Sequence, residues 1–139
     1  MLKNISIILL LTLAFFSCND TRKLVKTEQQ LLSFINEQPV GKEFTLKLDT
    51  IESIKWDEMF IAGPYTDITE IKEGKTYNLT KLPNSTKSHD KYILIGFLNE
   101  KEAIGWIELE SNTPLNKLLS NSKGYQFYDK KDCVFLLKK

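Results

Sequence analysis

The chain of 139 residues contains one histidine and two cysteines, which narrows the chemistry open to it. His89 stands in Ser88-His89-Asp90, the residue types of a nucleophile, a base and an orienting acid. A triad works only when its three side chains converge from positions that hold their geometry. Three consecutive residues in a polar loop rarely converge, so solubility explains this run better. Two carboxylate pairs remain, Asp57/Glu58 and Glu108/Glu110. Alternate residues of a strand share a face, which would make Glu108 and Glu110 neighbours. Charges in that arrangement more often oppose edge-to-edge pairing than catalyse. No two histidines or cysteines stand at metal-ligand spacing, there is no Asp/Asn calcium loop, and the six glycines are too scattered to cradle a phosphate. The expectation is therefore no catalytic residue, no metal site, no cofactor and no enzymatic activity.

The N-terminus is the more informative stretch. A single positive charge, Lys3, precedes the apolar run Ile5 to Phe16, and Ser17 and Cys18 follow. A cationic start, an apolar run of that length and a small residue before a cut describe a secretory signal peptide. The run is shorter than the roughly 20 residues a membrane span needs. With cysteine directly after the small residue, residues 1–17 resemble a bacterial lipoprotein signal. The resemblance implies that Cys18 is lipidated and becomes the mature N-terminus. Phe15 and Phe16 stand where that pattern usually has an aliphatic and a small or β-branched residue. The alternatives are an ordinary signal peptide that leaves Cys18 a plain thiol, or an uncleaved anchor. Each buried methylene of a lipid contributes about 0.8 kcal/mol, and two signals already anchor stably. Asn19, rather than aspartate, follows the cysteine, which tilts the expected location to the outer membrane of a Gram-negative envelope.

Removing residues 1–17 takes away only Lys3, so the remainder carries 18 basic and 18 acidic side chains and no formal net charge. Neither nucleic acid nor a polybasic membrane contact fits that balance. With Cys18 lipidated, Cys133 has no intramolecular disulfide partner, and its setting in Cys133-Val-Phe-Leu-Leu makes it a core residue.

Residues 18–26 read as the lipidated cysteine with a short polar tether, and residues 27–139 as one domain. Thr27 and Gln30 are spaced as a capping box at a helix start, with Leu31, Leu32, Phe34 and Ile35 at helical spacing before Pro39. Phe44, Leu46 and Leu48 alternate as a half-buried strand. Trp56 to Ala62 is a second strand, Asp67 to Lys72 a short helix, and Thr76 to Leu79 a short strand. Tyr92 to Leu98 is apolar on both faces and therefore central, with Ala103 to Leu109 as its hairpin partner. Thr113-Pro114 opens a helix. Tyr125 to Tyr128 and Cys133 to Leu137 form a terminal hairpin. The fold class is α+β: a mainly antiparallel sheet of about five or six strands with two or three helices packed on it.

Trp56, Asp57, Phe60, Ile61, Pro64, Tyr65 and Thr66 resemble a motif of small uncharacterised secreted and lipoprotein domains, Trp-Asp followed by an apolar strand and Pro-Tyr-Thr. The resemblance implies a fold neighbourhood and no reaction. Trp56 is read first as a core anchor. An aromatic binding surface for a peptide or a sugar would require Trp56, Tyr65 and Trp106 to meet on one exposed face. Asp49-Thr50-Ile51 resembles an Asp-Thr-aliphatic acceptor of bacterial O-glycosylation, with Thr50 as the acceptor.

These features point to a lipid-anchored envelope protein that binds a protein or glycan partner or supports an assembly. The competing readings are an envelope enzyme using carboxylates near Asp57 and an inhibitor or immunity-type protein.

Overall fold

A strand that is apolar from Ile93 to Leu98 is stable only with both faces covered, and the rest of the chain supplies two unlike covers. The computed structural model describes residues 21–71, 77–119 and 123–139. Its elements are β1 (Arg22–Lys23), α1 (Val25–Glu37), β2 (Glu43–Lys47), β3 (Glu58–Ala62), β4 (Tyr92–Asn99), β5 (Glu102–Glu110), β6 (Tyr125–Asp129) and β7 (Val134–Lys138). The fold is α+β. A five-stranded sheet runs in the order β1-β5-β4-β3-β6, parallel only at β1, and β2 and β7 form a separate antiparallel ribbon. β4 is the central strand, as its two apolar faces require.

On one face Met59, Ile61, Ile95, Phe97 and Ile107 meet α1 through Leu31 and Ile35, and the ribbon through Phe44, Leu46 and Leu137. On the other, Phe60, Ala62, Leu94 and Leu98 lie under Ile68, Leu79 and Leu82. Helix and ribbon thus cover one face, and the connection between β3 and β4 covers the other.

Three local expectations change. α1 begins at Val25 after Leu24, without a side-chain cap, and Thr27 is buried inside it. Leu24 fixes the start instead. Its N–H bonds to Trp106 O at 2.8 Å, and its side chain lies against Gly105, where an added Cβ would approach within 3.1 Å. The expected terminal hairpin is absent. β6 pairs with β3 and β7 with β2, because the 3-10 turn Lys130–Asp132 carries the chain from one sheet to the other. The segments after Asp67 and Thr113 are 3-10 turns, Ile68–Glu70 and Pro114–Leu118, too short for α-helical ladders. Asn78 makes a single parallel bridge to Glu102, while Lys72 and Thr76 lie outside the described residues. So do Cys18 and the rest of the expected leader. Of the residues expected as tether, Arg22 and Lys23 form β1 and Val25 and Lys26 open α1.

Candidate functional site

The aromatic triplet is placed in three surroundings. Trp56 is 3% exposed, donates its indole N–H to Ile51 O at 2.8 Å and packs edge-on against Phe97, so it is a core anchor. Trp106 is half-buried and packs with the opposite cluster, under Lys23 Nζ. Tyr65, beyond the far end of β3 from Trp56, is 67% exposed. The two tryptophans pack on opposite faces of the sheet and form no common surface with Tyr65.

The remaining residues of the Trp-Asp…Pro-Tyr-Thr motif build architecture. Asp57 Oδ2 accepts the Glu100 N–H at 3.1 Å and caps the β4–β5 turn, while Glu58 Oε2 accepts the Tyr77 hydroxyl proton at 2.6 Å. Gly63 to Thr66 form a turn closed by Thr66 N–H to Gly63 O at 3.3 Å, with Pro64 second and Tyr65 third at φ 60°. A positive φ at that third place is the mark of a type II turn. The buried Thr66 donates its hydroxyl to Gly124 O and accepts at its carbonyl from Thr86 Oγ1. Asp67 adds an ion pair to Lys87 at 2.8 Å and hydrogen bonds from Thr69 and Asn84. Lys87 first, then Thr69 and Asn84, hold the Asp67 carboxyl well below its ordinary range. Asn84, Thr86 and Lys87 thereby tie the segment before β4 to the turn after β3.

The chemistry candidates stay apart. Ser88, His89 and Asp90 are all exposed, and no hydrogen bond links their side chains. Glu108 is half-buried and Glu110 exposed on the same strand face. Among the described residues no group of three or more His, Cys, Asp or Glu could hold a metal, and no helix is long and apolar enough to cross a membrane. Cys133 is fully buried; burial, followed by Asp132, Asp49 and Asp129, pushes its thiol up to about 12. Thr50 is exposed at the end of the 3-10 turn Leu48–Thr50, with its hydroxyl donated to Lys47 O at 2.7 Å.

The feature that sequence reasoning missed is a groove of about 440 Å³ between α1 and β2. Thr27, Gln30, Leu31 and Phe34 form one wall, four positions on a single helix face. Thr45, Leu46 and Lys47 of β2, followed by Leu48 at the start of the 3-10 turn, form the other. Its floor is apolar, with Leu31, Leu46 and Leu48 buried, and Phe34 remains 39% exposed at its rim. One end is closed by Thr27 Oγ1 against Ser53 Oγ at 3.4 Å, the other by Phe34 against the Phe44 ring at 6.1 Å.

β2 pairs only with β7 among the described strands. Leu48 N–H reaches Cys133 O on the β7 side. In an antiparallel ladder alternate residues point their backbone groups to opposite sides, so Phe44 and Leu46 bond toward β7 while Thr45 and Lys47 point theirs outward. Lys47 O on that outer side takes the Thr50 hydroxyl. The groove is thus a helix face opposite an open strand edge. No family model, curated protein or solved structure matches the chain. The amphipathic spacing of α1 and the alternation of β2 were legible, but their separation in space was not.

Proposed function

We propose that this chain is a lipid-anchored binding module of the cell envelope, without catalysis of its own, and that its α1–β2 groove receives an extended peptide segment of a partner protein. The observation that carries the reading is the edge of β2 along the groove, where Thr45 and Lys47 turn their backbone groups away from β7. Strand addition to such an edge takes affinity from main-chain hydrogen bonds and specificity from pockets for alternate side chains. From Thr27 to Phe34 the helix rises about 10 Å, which matches about three residues of extended chain at ~3.3 Å each. A peptide with an apolar side chain facing Leu31 and Leu46, and polar neighbours, fits that length. The lipid anchor at Cys18 rests on the order cationic start, apolar run, Ser17, Cys18.

Two experiments test the halves separately. Mass spectrometry of the purified native protein is expected to find a diacylglyceryl modification at residue 18; an intact Met1 start would remove the anchor from the proposal. For the groove, selection from a displayed peptide library is expected to yield extended sequences that protect the Thr45 and Lys47 amides from hydrogen exchange. Thr45→Pro removes an outward N–H at an edge where proline is tolerated, and Phe34→Glu charges the rim. Both are expected to abolish binding in a folded protein. Peptides that bind both variants as they bind the parent would defeat the assignment.

A further inference from the structure

Beyond the C-terminal end of α1 lies a second cleft, of about 690 Å³ and of opposite character to the groove. Its walls carry Lys117, Lys138 and Lys139, the amide side chains of Asn36, Asn112 and Asn116, and no carboxylate side chain. Three elements bring the lysines together. Lys117 comes from the 3-10 turn Pro114–Leu118, Lys138 from the end of β7, and Lys139 from the residue after it. Neither of the ion pairs in the described residues includes them; those join Lys23 to Glu28 and Lys87 to Asp67. Lys117 Nζ has only a long contact of 3.4 Å with Lys138 O, and Lys139 Nζ spends one N–H on Asn36 O at 2.7 Å. Glu43, opposite Lys138 across the ribbon, shares an adjoining cleft with Lys117 and Lys138 but does not line this one. In the same wall Thr113 Oγ1 is buried without a hydrogen-bond partner.

Lysines lining one cleft raise its positive potential, and an anion entering it lowers that energy. Amide and hydroxyl donors beside ammonium groups are the set that satisfies the several acceptor oxygens of a phosphate. We infer that this cleft is an anion site that takes a phosphate-bearing ligand larger than phosphate itself, either a soluble phosphorylated compound or a phospholipid headgroup. The site is independent of the α1–β2 groove and does not rest on the peptide reading. The lysines act as point charges, so affinity falls with salt, and the asparagine amides orient the ligand oxygens.

The experiment uses the full chain with an amide NMR readout. Titration with inositol hexakisphosphate as probe is expected to shift Asn112, Thr113 and Asn116, with an affinity that weakens as salt rises. A Lys117→Ala/Lys138→Ala form, which changes two exposed side chains, is expected to bind about tenfold more weakly. The same pair is then compared on phosphatidylcholine vesicles with and without phosphatidylglycerol. A gain on the anionic vesicles that depends on the lysines identifies a headgroup; its absence, with the soluble probe still bound, identifies a soluble phosphate. Shifts elsewhere only, or equal binding by the two proteins, would overturn the site.

Discussion

Tyr65 occupies a backbone conformation that costs an L-residue roughly 1–2 kcal/mol, and it does so with its ring in solvent. Glycine would suit the third place of this turn better, so Tyr65→Gly is expected to raise stability by about 1 kcal/mol, measured by urea unfolding. Gly124 shows the reverse case. Its φ is 80°, and an added Cβ would sit 2.7 Å from the Thr66 hydroxyl oxygen. Gly124→Ala combines strain with displacement of the Thr66 hydrogen bond and is expected to cost about 2 kcal/mol. For Cys133 the sign of the pH effect follows from its raised value. The unfolded thiol releases its proton from about pH 8.5, while the folded one holds it to about 12. The folded state binds more protons through that window, so this group's contribution to stability falls as pH rises there. A thiol reagent at pH 8 should label Cys133 only after denaturation, and Cys133→Ser should flatten the alkaline decline.

Among the elements, the β4–β5 hairpin turns through Glu100 and Lys101, both at positive φ (49° and 69°). Positive φ at both central residues marks a type I′ turn, which prefers Asn-Gly. Asp57, the residue before β3, compensates by accepting the Glu100 N–H. Lys101→Gly is expected to stabilise by about 1 kcal/mol, and Asp57→Ala to destabilise by a similar amount, both read from thermal midpoints. A helix residue also completes the edge of β5. Where β1 ends, Glu28 Oε2 accepts the Glu108 N–H at 3.0 Å and continues the ladder with a side chain. The strands and α1 were legible because periodicity reports which residues are buried. The assignment of β6 and β7 to different sheets was not, since Tyr125–Asp129 and Val134–Lys138 are adjacent in sequence and both suit a hairpin. Their separation depends on long-range bonds, such as Lys130 N–H to Asp57 O at 2.8 Å.

In the molecule as a whole, the cover over the β4 face opposite α1 is secured by polar bonds around Asp67 as well as by Leu79 and Leu82. Because its ion pair depresses the Asp67 carboxyl, that contribution is complete above the ordinary carboxylate range and declines as pH falls below it toward the lower folded value. Asp67→Asn is expected to lessen the acid dependence of unfolding between pH 5 and 2, as measured by urea titrations at stepped pH. The candidate groove was illegible for a related reason: it is a gap between two well-formed elements, and a sequence records elements more clearly than gaps. The attachment of β1 has a mechanical consequence. A pull on the N-terminus meets the two-residue pairing to Gly105 and Trp106 and the Leu24 seat on Gly105. Tension along β1 loads these contacts in shear and all together, whereas tension across the sheet peels them singly. Release of residues 21–24 adds about 14 Å of chain while β5, β4, β3 and β6 remain paired. β1 has two residue pairs against five or eight in the other strand pairings. It is therefore expected to be the first strand to open under such a pull, as single-molecule extension would show.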